Sequence, residues 1–389
     1  MSISVQLSLD FKPYPDSNNL GFGKYFADHM FCMDFVSEDG WVNPKIIPYS
    51  EFKVSPSNLT FHYGQTVFEG LKAFKWKDGS VNIFRLNDHI KRLAHSAERL
   101  CIPKFNEELV IEACKLLVDI DNNWVPKSEG TSLYLRPIIL ADDDALGVRP
   151  SNNYKLFIIT SPVGNYYSKG HAPTKILVEE SYARVAHGGL GEAKTAANYA
   201  ASLLAAEKAK SIGYDQVLWL DSINHEYIEE VGTMNIFFVL NGTKGDTLVT
   251  PPLDGTILHG ITRKTVLEIA REWGVNVEER LITIADISNA FDNGTLKEVF
   301  GSGTAAVISQ VGELSYKGKN MIIIEQPNSL RSRLFDAISN IQHGIESDNF
   351  NRLTKIEHHN FDRSKLRKDS IDDLKFVQDV IEVKSRLAH

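Results

Sequence analysis

Apolar side chains recur at helical spacing early in the chain and form continuous runs further on. Between Asn87 and Leu100 the apolar positions follow the 3.6-residue period, which predicts a helix. The runs Ser132–Leu140 and Tyr154–Thr160 are rich in apolar and β-branched residues and are bounded by polar or turn residues, which is typical of buried strands. The first part of the chain is therefore expected to combine helices with strands.

After Ala172 the predicted strands and helices alternate. Helical spacing covers Thr195–Ser211, Thr262–Trp273 and Ile284–Phe291. The predicted strands are Lys175–Glu179, Gln216–Leu220, Glu230–Leu240 and a run through Ala305–Ile308.

The segment from Ser161 to His171 is rich in Pro, Gly, Asn, Ser and Tyr, which favours a linker. We therefore expect a small N-terminal domain over residues 1–171, with the linker near 161–174, and a larger C-terminal domain over 172–346. Residues 347–389 are dense in charged side chains, and amphipathic spacing over Ser370–Leu387 predicts a helix there. A length of 389 residues agrees with two domains.

Composition narrows the classes of protein to consider. Hydrophobic residues make up 43% and charged residues 24%, so the chain can bury a dense core. The 42 basic and 50 acidic side chains give a net charge of −8, which repels phosphate backbones, and a nucleic-acid partner is not expected. No apolar run has membrane-spanning length, the N-terminus lacks a secretion signal, and the three cysteines are scattered, so a cytoplasmic protein is expected. No close spacing of metal-ligating residues occurs, so no metal site is expected.

Lys194 is the sole cation in a run of small and apolar residues where a helix is predicted to begin. The positive end of the helix dipole and partial desolvation both favour the neutral amine, which is a nucleophile and a base. A solvated lysine at a helix start is the alternative. Nearby glycines, which allow close backbone approach, keep the interpretation of Lys194 as a neutral, nucleophilic amine open.

Two glycine-containing segments could bind an anion. Leu258–Arg263 leads directly into a helix, so the amides of Gly260, Ile261 and Thr262 predict a phosphate site, with an ordinary Thr N-cap as the alternative. Phe300–Ala306 superficially fits a dinucleotide fingerprint, but the β-like sequence after it excludes that interpretation. The segment is therefore expected to form either an anion-binding turn near Thr304 and Ala305 or a plain hairpin turn.

Two adjacent carboxylates, Glu229 and Glu230, begin a predicted buried strand. Strand alternation sends them to opposite faces, so one should point inward and need a cationic partner. That partner is either a side chain in an internal salt bridge or the protonated heterocyclic nitrogen of a cofactor.

Together these four segments resemble the class IV, fold type IV, pyridoxal-phosphate aminotransferases. The resemblance lies in Glu230-x-x-Thr233-x-Asn235-Ile-Phe, in Thr250 and in Leu258-x-Gly260-Ile261-Thr262-Arg263, and it spans about residues 20 to 346. Four further segments resemble the branched-chain amino acid aminotransferases within that family. They are His62–Phe74, Ser132–Pro137, Gln216–Leu220 and Gly301–Ala305.

The resemblance implies an α/β (α+β) fold with a smaller N-terminal α/β domain and a larger C-terminal α/β pseudo-barrel, joined by an interdomain loop. It also implies a homodimer that binds pyridoxal 5′-phosphate. Lys194 would hold this cofactor as a Schiff base and move the substrate proton, Glu230 would pair with the pyridine nitrogen, and Tyr199 would bind the ring oxygen. The phosphate would be held by Arg92, Gly260, Ile261, Thr262 and Thr304.

For the substrate, the resemblance implies an α-carboxylate site at Thr304, Ala305 and Tyr134. It places the apolar side-chain pocket at Tyr63, Phe68, Gly70 and Tyr166, with Tyr63 contributed by the partner subunit. Arg136 would bind the distal carboxylate of glutamate or 2-oxoglutarate. One methylene is worth only about 1 to 3 kcal/mol in such a pocket, so weak discrimination among leucine, isoleucine and valine is expected.

The implied reaction is a ping-pong transamination between the branched-chain amino acids and 2-oxoglutarate, which gives branched-chain 2-oxo acids and glutamate. Two enzymes of the same fold type are the nearest alternatives, a D-amino acid aminotransferase and an aminodeoxychorismate lyase. Phe68–Phe74 and Tyr134–Arg136 count against both. A non-catalytic protein that binds a phosphate ligand is an alternative of another class, and Lys194 distinguishes it.

Overall fold

The computed structural model describes residues 2–164, 172–242, 245–324 and 326–359, and it divides into two compact units. The first unit contains the described residues up to 164 together with 342–344 and those from 348 onward. The second contains the described residues from 172 to 341 together with 345–347. Within the described ranges, no helix combines the length and the apolar character needed to cross a membrane.

The first unit is built on a mostly antiparallel sheet. Its first eight strands are β1 Ser4–Val5, β2 His29–Val36, β3 Gly40–Pro48, β4 Thr66–Phe68, β5 Leu71–Lys75, β6 Val81–Phe84, β7 Ser132–Ala141 and β8 Asn153–Val163. They pair in the order β1-β3-β2-β8-β7-β5-β6, and β4 pairs with β7. The helices are α1 Leu59–Tyr63, α2 Leu86–Arg99 and α3 Glu107–Ile120, followed by a 3-10 turn at Asn122–Trp124.

The core of the first unit explains why these segments fold as they do. Leu86, Ile90 and Leu93 recur on one side of α2 and are fully buried with Leu117 of α3 and Leu133 of β7. Each fully buried aliphatic side chain contributes about 1.5 to 3 kcal/mol. The predicted helix is confirmed within one residue at each end, and the two predicted strands are β7 and β8.

The second unit contains a closed ring of strands. Its strands are β9 Thr174–Val178, β10 Gln216–Leu220, β11 Ile228–Val231, β12 Met234–Gly242, β13 Gly245–Thr250, β14 Asn276–Glu279, β15 Leu296–Gly303, β16 Val307–Tyr316 and β17 Lys319–Ile322. The order β11-β10-β9-β16-β15-β12 closes because β12 also pairs with β11. The following helices accompany them: α4 Ala196–Ser211, α5 Ile261–Glu272, α6 Ile284–Asp292 and α7 Leu330–Gln342. The α/β pseudo-barrel implied by the resemblance is confirmed.

Two of the predicted strands were wrong in detail. The predicted strand Glu230–Leu240 is a hairpin, because Gly232 has a φ of +57° and the chain turns between β11 and β12. Glycine adopts this left-handed conformation without the steric cost of a Cβ. The strand predicted through Ala305–Ile308 begins only at Val307, since Thr304–Ala306 form the turn between β15 and β16.

Part of the charged tail belongs to the first unit. Residues Leu353–Lys355 form β18, which pairs antiparallel with β6 at the edge of the sheet. After it, His358 and His359 both hydrogen-bond to Asp119 through their Nδ1 atoms, each at 3.0 Å. The predicted helix over Ser370–Leu387 lies outside the described residues.

Candidate active site

A cleft in the second unit collects several side chains that the sequence singles out. It encloses about 350 Å³, part of which is open to solvent. An amine, Lys194, and a carboxylate, Glu230, both line it. The other lining residues are Arg184, Gly191, Ala193, Asn198, Tyr199, Ser202, Gly232, Thr233 and Leu258. The cleft thus contains an amine and a carboxylate together.

Lys194 lies just before α4 and is half-buried. Its Nζ donates a hydrogen bond of 2.7 Å to the hydroxyl of Tyr199 in the first turn of that helix. Asn198 fastens the preceding loop, because its Nδ2 donates to the carbonyls of Leu190 and Ala193, each over 2.8 Å. The helix start and the phenol therefore hold the amine in place at the cleft, as a positioned nucleophile requires.

The loop before Lys194 passes very close to the segment that precedes α5. A Cβ added at Gly191 would lie 2.3 Å from the carbonyl oxygen of Thr256 and 2.6 Å from its Cα. These neighbours are backbone atoms, so they have little freedom to move. Glycine is required here by close approach of two chain segments, which agrees with the role that the sequence predicts for glycines near Lys194.

We expect Gly191→Ala to lower the free energy of unfolding by about 2 to 4 kcal/mol, because the added methyl group overpacks a rigid contact. Thermal unfolding of the purified variant measures this effect. Gly147→Ala is the matched control, since a Cβ at Gly147 would meet nothing within 4 Å. Equal unfolding temperatures for both variants and the parent protein would contradict the prediction.

Glu230 is a buried carboxylate on β11 with several polar neighbours. Its Oε1 accepts hydrogen bonds from the amide of Leu258 at 3.0 Å and from Nδ2 of Asn235 at 3.2 Å. Its Oε2 lies 3.1 Å from Nε of Arg184, whose Nη2 donates to the carbonyl of Thr256. The internal salt bridge predicted as one alternative is therefore present, and the same carboxylate also lines the cleft.

The expectation that only one carboxylate of the pair points inward was wrong. Glu229 is 5% exposed and Glu230 is 4% exposed, so both are buried. All four residues of β11, Ile228–Val231, are buried, so exposure does not alternate along this strand. The pKa of Glu229 is raised to about 7, because the effects of burial, the largest cause, and of the charges of Glu230 and Asp254 outweigh the lowering effects of Thr256 and Arg184.

The start of α5 provides a helix N-terminus next to Glu230. The N-cap is Gly260, which makes no side-chain capping hydrogen bond, so the predicted alternative of a Thr N-cap is excluded. A Cβ at Gly260 would lie 1.8 Å from Oδ1 of Asn235, the residue that also donates to Glu230. An uncapped N-terminus presents backbone amides and a positive dipole end, which suits a phosphate.

The turn Thr304–Ala306 connects β15 and β16, as the predicted hairpin alternative requires. Register places Ser302 of β15 opposite Asn235 of β12, so the strand that leads into this turn runs beside the strand that carries Asn235. The hydroxyl of Ser302 is buried and has no hydrogen-bond partner among the described residues. Anion binding by Thr304 and Ala305 stays a prediction.

The first unit brings together a second group of the predicted residues. Nη2 of Arg136 donates to the hydroxyl of Tyr134 over 3.0 Å, and the guanidinium carbon lies 4.7 Å from the ring centroid of Phe68. A Cβ at Gly70 would lie 1.7 Å from the Tyr134 hydroxyl oxygen. Nε of Arg136 is buried and has no hydrogen-bond partner within the described ranges. The rings of Phe68 and Tyr134 therefore lie beside a cation, Arg136, that can bind an anionic ligand.

Arg92 is held by a buried carboxylate that sequence analysis missed. Its Nε and Nη2 lie 2.6 Å and 2.9 Å from the two oxygens of Glu69, and Nδ1 of His89 lies 2.8 Å from the same group. Burial alone would raise the pKa of Glu69, but Arg92 and His89 hold that pKa well below its usual range. Arg92 belongs to the first unit, and its contact with a phosphate stays a prediction.

Two predicted pocket residues are not part of these groups. Tyr63 is 44% exposed, and its hydroxyl donates to the carbonyl of Leu146. Tyr166 lies outside the described residues.

Sequence analysis also missed Arg184, although it is the sole arginine between residues 172 and 262 and a buried carboxylate pair requires a cation.

Comparison with known proteins identifies similar chains. The family described as "Amino-transferase class IV" matches residues 66–314. Branched-chain-amino-acid aminotransferase 2 of Bacillus subtilis is 49% identical over 356 residues, which are 91% of this chain and 97% of that protein. The branched-chain-amino-acid aminotransferase of Mycolicibacterium smegmatis is 43% identical over 87% of this chain and 92% of that protein.

Solved structures agree with these similarities. The branched-chain amino acid aminotransferase of Escherichia coli has a TM-score of 0.69 at 26% identity and covers 84% of this chain and 99% of its own. The T.th. branched-chain amino acid aminotransferase, solved with N-(5′-phosphopyridoxyl)-L-glutamate, has a TM-score of 0.67 at 27% identity and covers 84% of this chain and 98% of its own.

Proposed function

Because the chain belongs to the branched-chain aminotransferases of the class IV family, we propose that it transfers the amino group of L-leucine, L-isoleucine or L-valine to 2-oxoglutarate, with pyridoxal 5′-phosphate as cofactor. The products are branched-chain 2-oxo acids and L-glutamate. The observation that carries this proposal is the cleft lined by the Lys194 amine and the buried Glu230 carboxylate.

The residues of the second unit fit this cofactor. Lys194 offers an amine for its aldehyde carbon, Tyr199 offers a phenol for its ring oxygen, and Glu230 offers a carboxylate for its ring nitrogen. The uncapped start of α5 suits its phosphate, with the amides of Ile261 and Thr262 as donors. When bound, pyridoxal 5′-phosphate supplies an electron sink for the electrons released at the substrate Cα.

Within this proposal, Lys194 has two functions. Its Nζ would hold the cofactor covalently, and as a free amine the same atom would accept the proton of the substrate Cα and later donate it back. Tyr199 orients the amine through the 2.7 Å hydrogen bond. Glu230 would keep a proton on the ring nitrogen, and its contacts with Leu258 and Asn235 fix the direction of the carboxylate.

The residues of the first unit support recognition of two kinds of substrate. We assign the Phe68 ring to the branched side chain and the Tyr134 hydroxyl to the α-carboxylate. Arg136 is assigned to the distal carboxylate of glutamate or 2-oxoglutarate, since its buried Nε has no acceptor among the described residues. The exposure of Tyr63 agrees with its assignment to the pocket of the partner subunit in a homodimer.

Replacing Arg136 with methionine tests the substrate assignment. We expect KM for 2-oxoglutarate to rise by about 10- to 100-fold, because a charged hydrogen bond to a carboxylate contributes about 1.5 to 3 kcal/mol. The leucine half-reaction, followed in single turnovers, should change by less than about 3-fold, since leucine has no distal carboxylate. Arg149→Met is the control, as Arg149 is exposed and pairs with Asp143. An equal loss in both half-reactions would exclude this role for Arg136.

The proposed function is tested by incubating the cofactor-loaded protein with leucine and 2-oxoglutarate and, separately, with D-alanine. Glutamate formation from L-leucine is the expected result. Turnover of D-alanine alone would favour a D-amino acid aminotransferase and overturn the proposal. Borohydride reduction followed by peptide mapping should place the cofactor mass on Lys194, whereas a non-catalytic phosphate-binding protein would carry it on no residue.

A further inference from the structure

Lys72 is a buried lysine on the sheet of the first unit. Its neighbours on β5, Leu71 and Ala73, belong to the apolar core, so alternation along the strand turns Lys72 to the opposite face. Register places Lys72 directly opposite Tyr134 of β7, and residues that pair in this way point to the same side of a sheet. Arg136 follows Tyr134 by two positions and shares that side. Lys72 therefore lies on the sheet face that carries residues assigned to the substrate.

Tyr134 and Arg136 both reach toward the segment that leads to Lys72. The Tyr134 hydroxyl lies against the backbone of Gly70, two residues before Lys72, since a Cβ there would come within 1.7 Å of the hydroxyl oxygen. Arg136 donates to the same hydroxyl across 3.0 Å. The phenol and the guanidinium therefore lie beside β5, on the same face as the Lys72 side chain.

The same face also holds a buried hydroxyl. Register pairs Tyr134 with Ser161 of β8, so Ser161 lies on the side of Tyr134 that is away from Lys72. Ser161 is 4% exposed, and its Oγ has no hydrogen-bond partner among the described residues. Buried polar atoms are nearly always paired, so this hydroxyl points to a partner from outside the described residues.

The charges on this face are positive. In strands β5, β7 and β8, the described positions around Tyr134 that share the face hold no carboxylate, and they are Lys72, Phe74, Ser132, Arg136, Ile159 and Ser161. Strand β6, on the other side of β5, has no charged residue over Val81–Phe84. Burial lowers the pKa of Lys72 to about 8, so the amine is protonated at neutral pH and can release its proton at modest cost.

We propose that Lys72 is a specificity-determining residue, whose positive charge acts together with that of Arg136 to favour dicarboxylate substrates over monocarboxylate ones. A dicarboxylate brings two negative charges to two cations, whereas a branched-chain 2-oxo acid brings one. The inference rests on the proposed function, because it needs Tyr134 and Arg136 to face the substrate.

The test compares two probes, glutarate and pentanoate, which have the same chain length and differ in one terminal carboxylate. Titration calorimetry of the cofactor-loaded protein at about pH 7 measures the dissociation constant of each. We expect Lys72→Met to raise the constant for glutarate about 10-fold and that for pentanoate less than about 3-fold, because the lost charge acts on two carboxylates in one probe and on one in the other. An equal change for both probes would overturn the inference.

Lys77→Met is the matched control, since Lys77 is exposed in the turn after β5. It removes the same charge and should leave both dissociation constants within about 2-fold of wild type, because exposed charges are screened. If Lys72→Met does not fold, Lys72→Gln provides a second uncharged variant. A loss of glutarate affinity in Lys77→Met equal to that in Lys72→Met would assign the effect to net charge and overturn the inference.

The pH dependence of the same two constants separates a charge effect from a packing effect. A lysine loses its charge as pH rises through its pKa, so the wild-type preference for glutarate over pentanoate should fall about 5-fold between about pH 7 and about pH 9. Lys72→Arg should keep the preference at about pH 9, since a guanidinium stays protonated there, and Lys72→Met should show no such fall. A fall of equal size in all three proteins would overturn the role of Lys72.

The outcomes distinguish this inference from the proposed function. A wild-type protein that holds no cofactor on Lys194 and forms no glutamate from leucine contradicts the proposed function and, with it, the inference. A wild-type protein that transaminates leucine, while Lys72→Met keeps the parental ratio of glutarate to pentanoate affinity, contradicts the inference alone.

Discussion

We expect replacement of Lys194 with alanine to lower leucine-dependent glutamate formation by at least about 10³-fold. In the proposed reaction the variant would lose both the covalent attachment point of the cofactor and the base that moves the Cα proton, and a positioned acid or base alone contributes a factor of about 10² to 10⁴ in rate. The structure supports a large effect, because the amine is anchored by Tyr199 and the loop before it by Asn198. Steady-state assays with saturating pyridoxal 5′-phosphate measure the loss.

The matched control for this change is Lys210→Ala. Lys210 lies on α4, the helix that begins just after Lys194, and its side chain is 76% exposed and pairs with the exposed Glu207 across 3.9 Å. Its removal should leave activity within about 2-fold of the parent, since exposed ion pairs contribute little. Lys194→Ala should also show no cofactor mass after borohydride reduction. Parental activity in Lys194→Ala would remove the basis of the functional proposal.

The Glu230→Gln variant should lose about 10² to 10³ in kcat, with a smaller change in KM. Glutamine keeps the size of the side chain but has no negative charge with which to hold a proton on the ring nitrogen, and the loss of one charge-stabilising group in a site has this magnitude. Stopped-flow analysis of the leucine half-reaction locates the effect in the proton-transfer step.

This variant also leaves the buried Arg184 without its nearest carboxylate. Breaking a buried ion pair is costly, so circular dichroism and thermal unfolding must accompany the kinetics. Glu226→Gln provides the same change of charge at an exposed position. A folded Glu230→Gln protein with parental kcat would show that Glu230 does not pair with the ring nitrogen of the cofactor.

Local sequence patterns were sufficient for much of the fold. The apolar period in α2 and the bounded runs of β7 and β8 predicted those elements to within a few residues, because burial on one side of an element repeats along the chain itself. The hairpin at Gly232 was missed, since apolar residues continue on both sides of a two-residue turn. The edge strand β18 was missed because only the distant β6 provides its partner.

In the candidate site, too, local sequence patterns predicted some features, whereas others depend on contacts between distant segments. Lys194, Glu230 and Gly260 lie in short segments whose residue types and spacing already indicate an amine, an acid and an uncapped helix start. The partners of the charged groups come from distant parts of the chain, as Arg184 does for Glu230 and Glu69 does for Arg92. No local pattern predicts such pairs, because a buried charge is satisfied by whichever side chain the fold brings to it.

The amino-acid sequence by itself indicated several of the helices and strands and the candidate reacting groups of the second unit, because hydrophobic period, glycine spacing and residue chemistry act over a few neighbouring positions. Only the tertiary structure decided that both Glu229 and Glu230 are buried and that the guanidinium of Arg184 lies 3.1 Å from Glu230. Burial and charge pairing depend on segments far apart in the chain, so they exist only after the chain has folded.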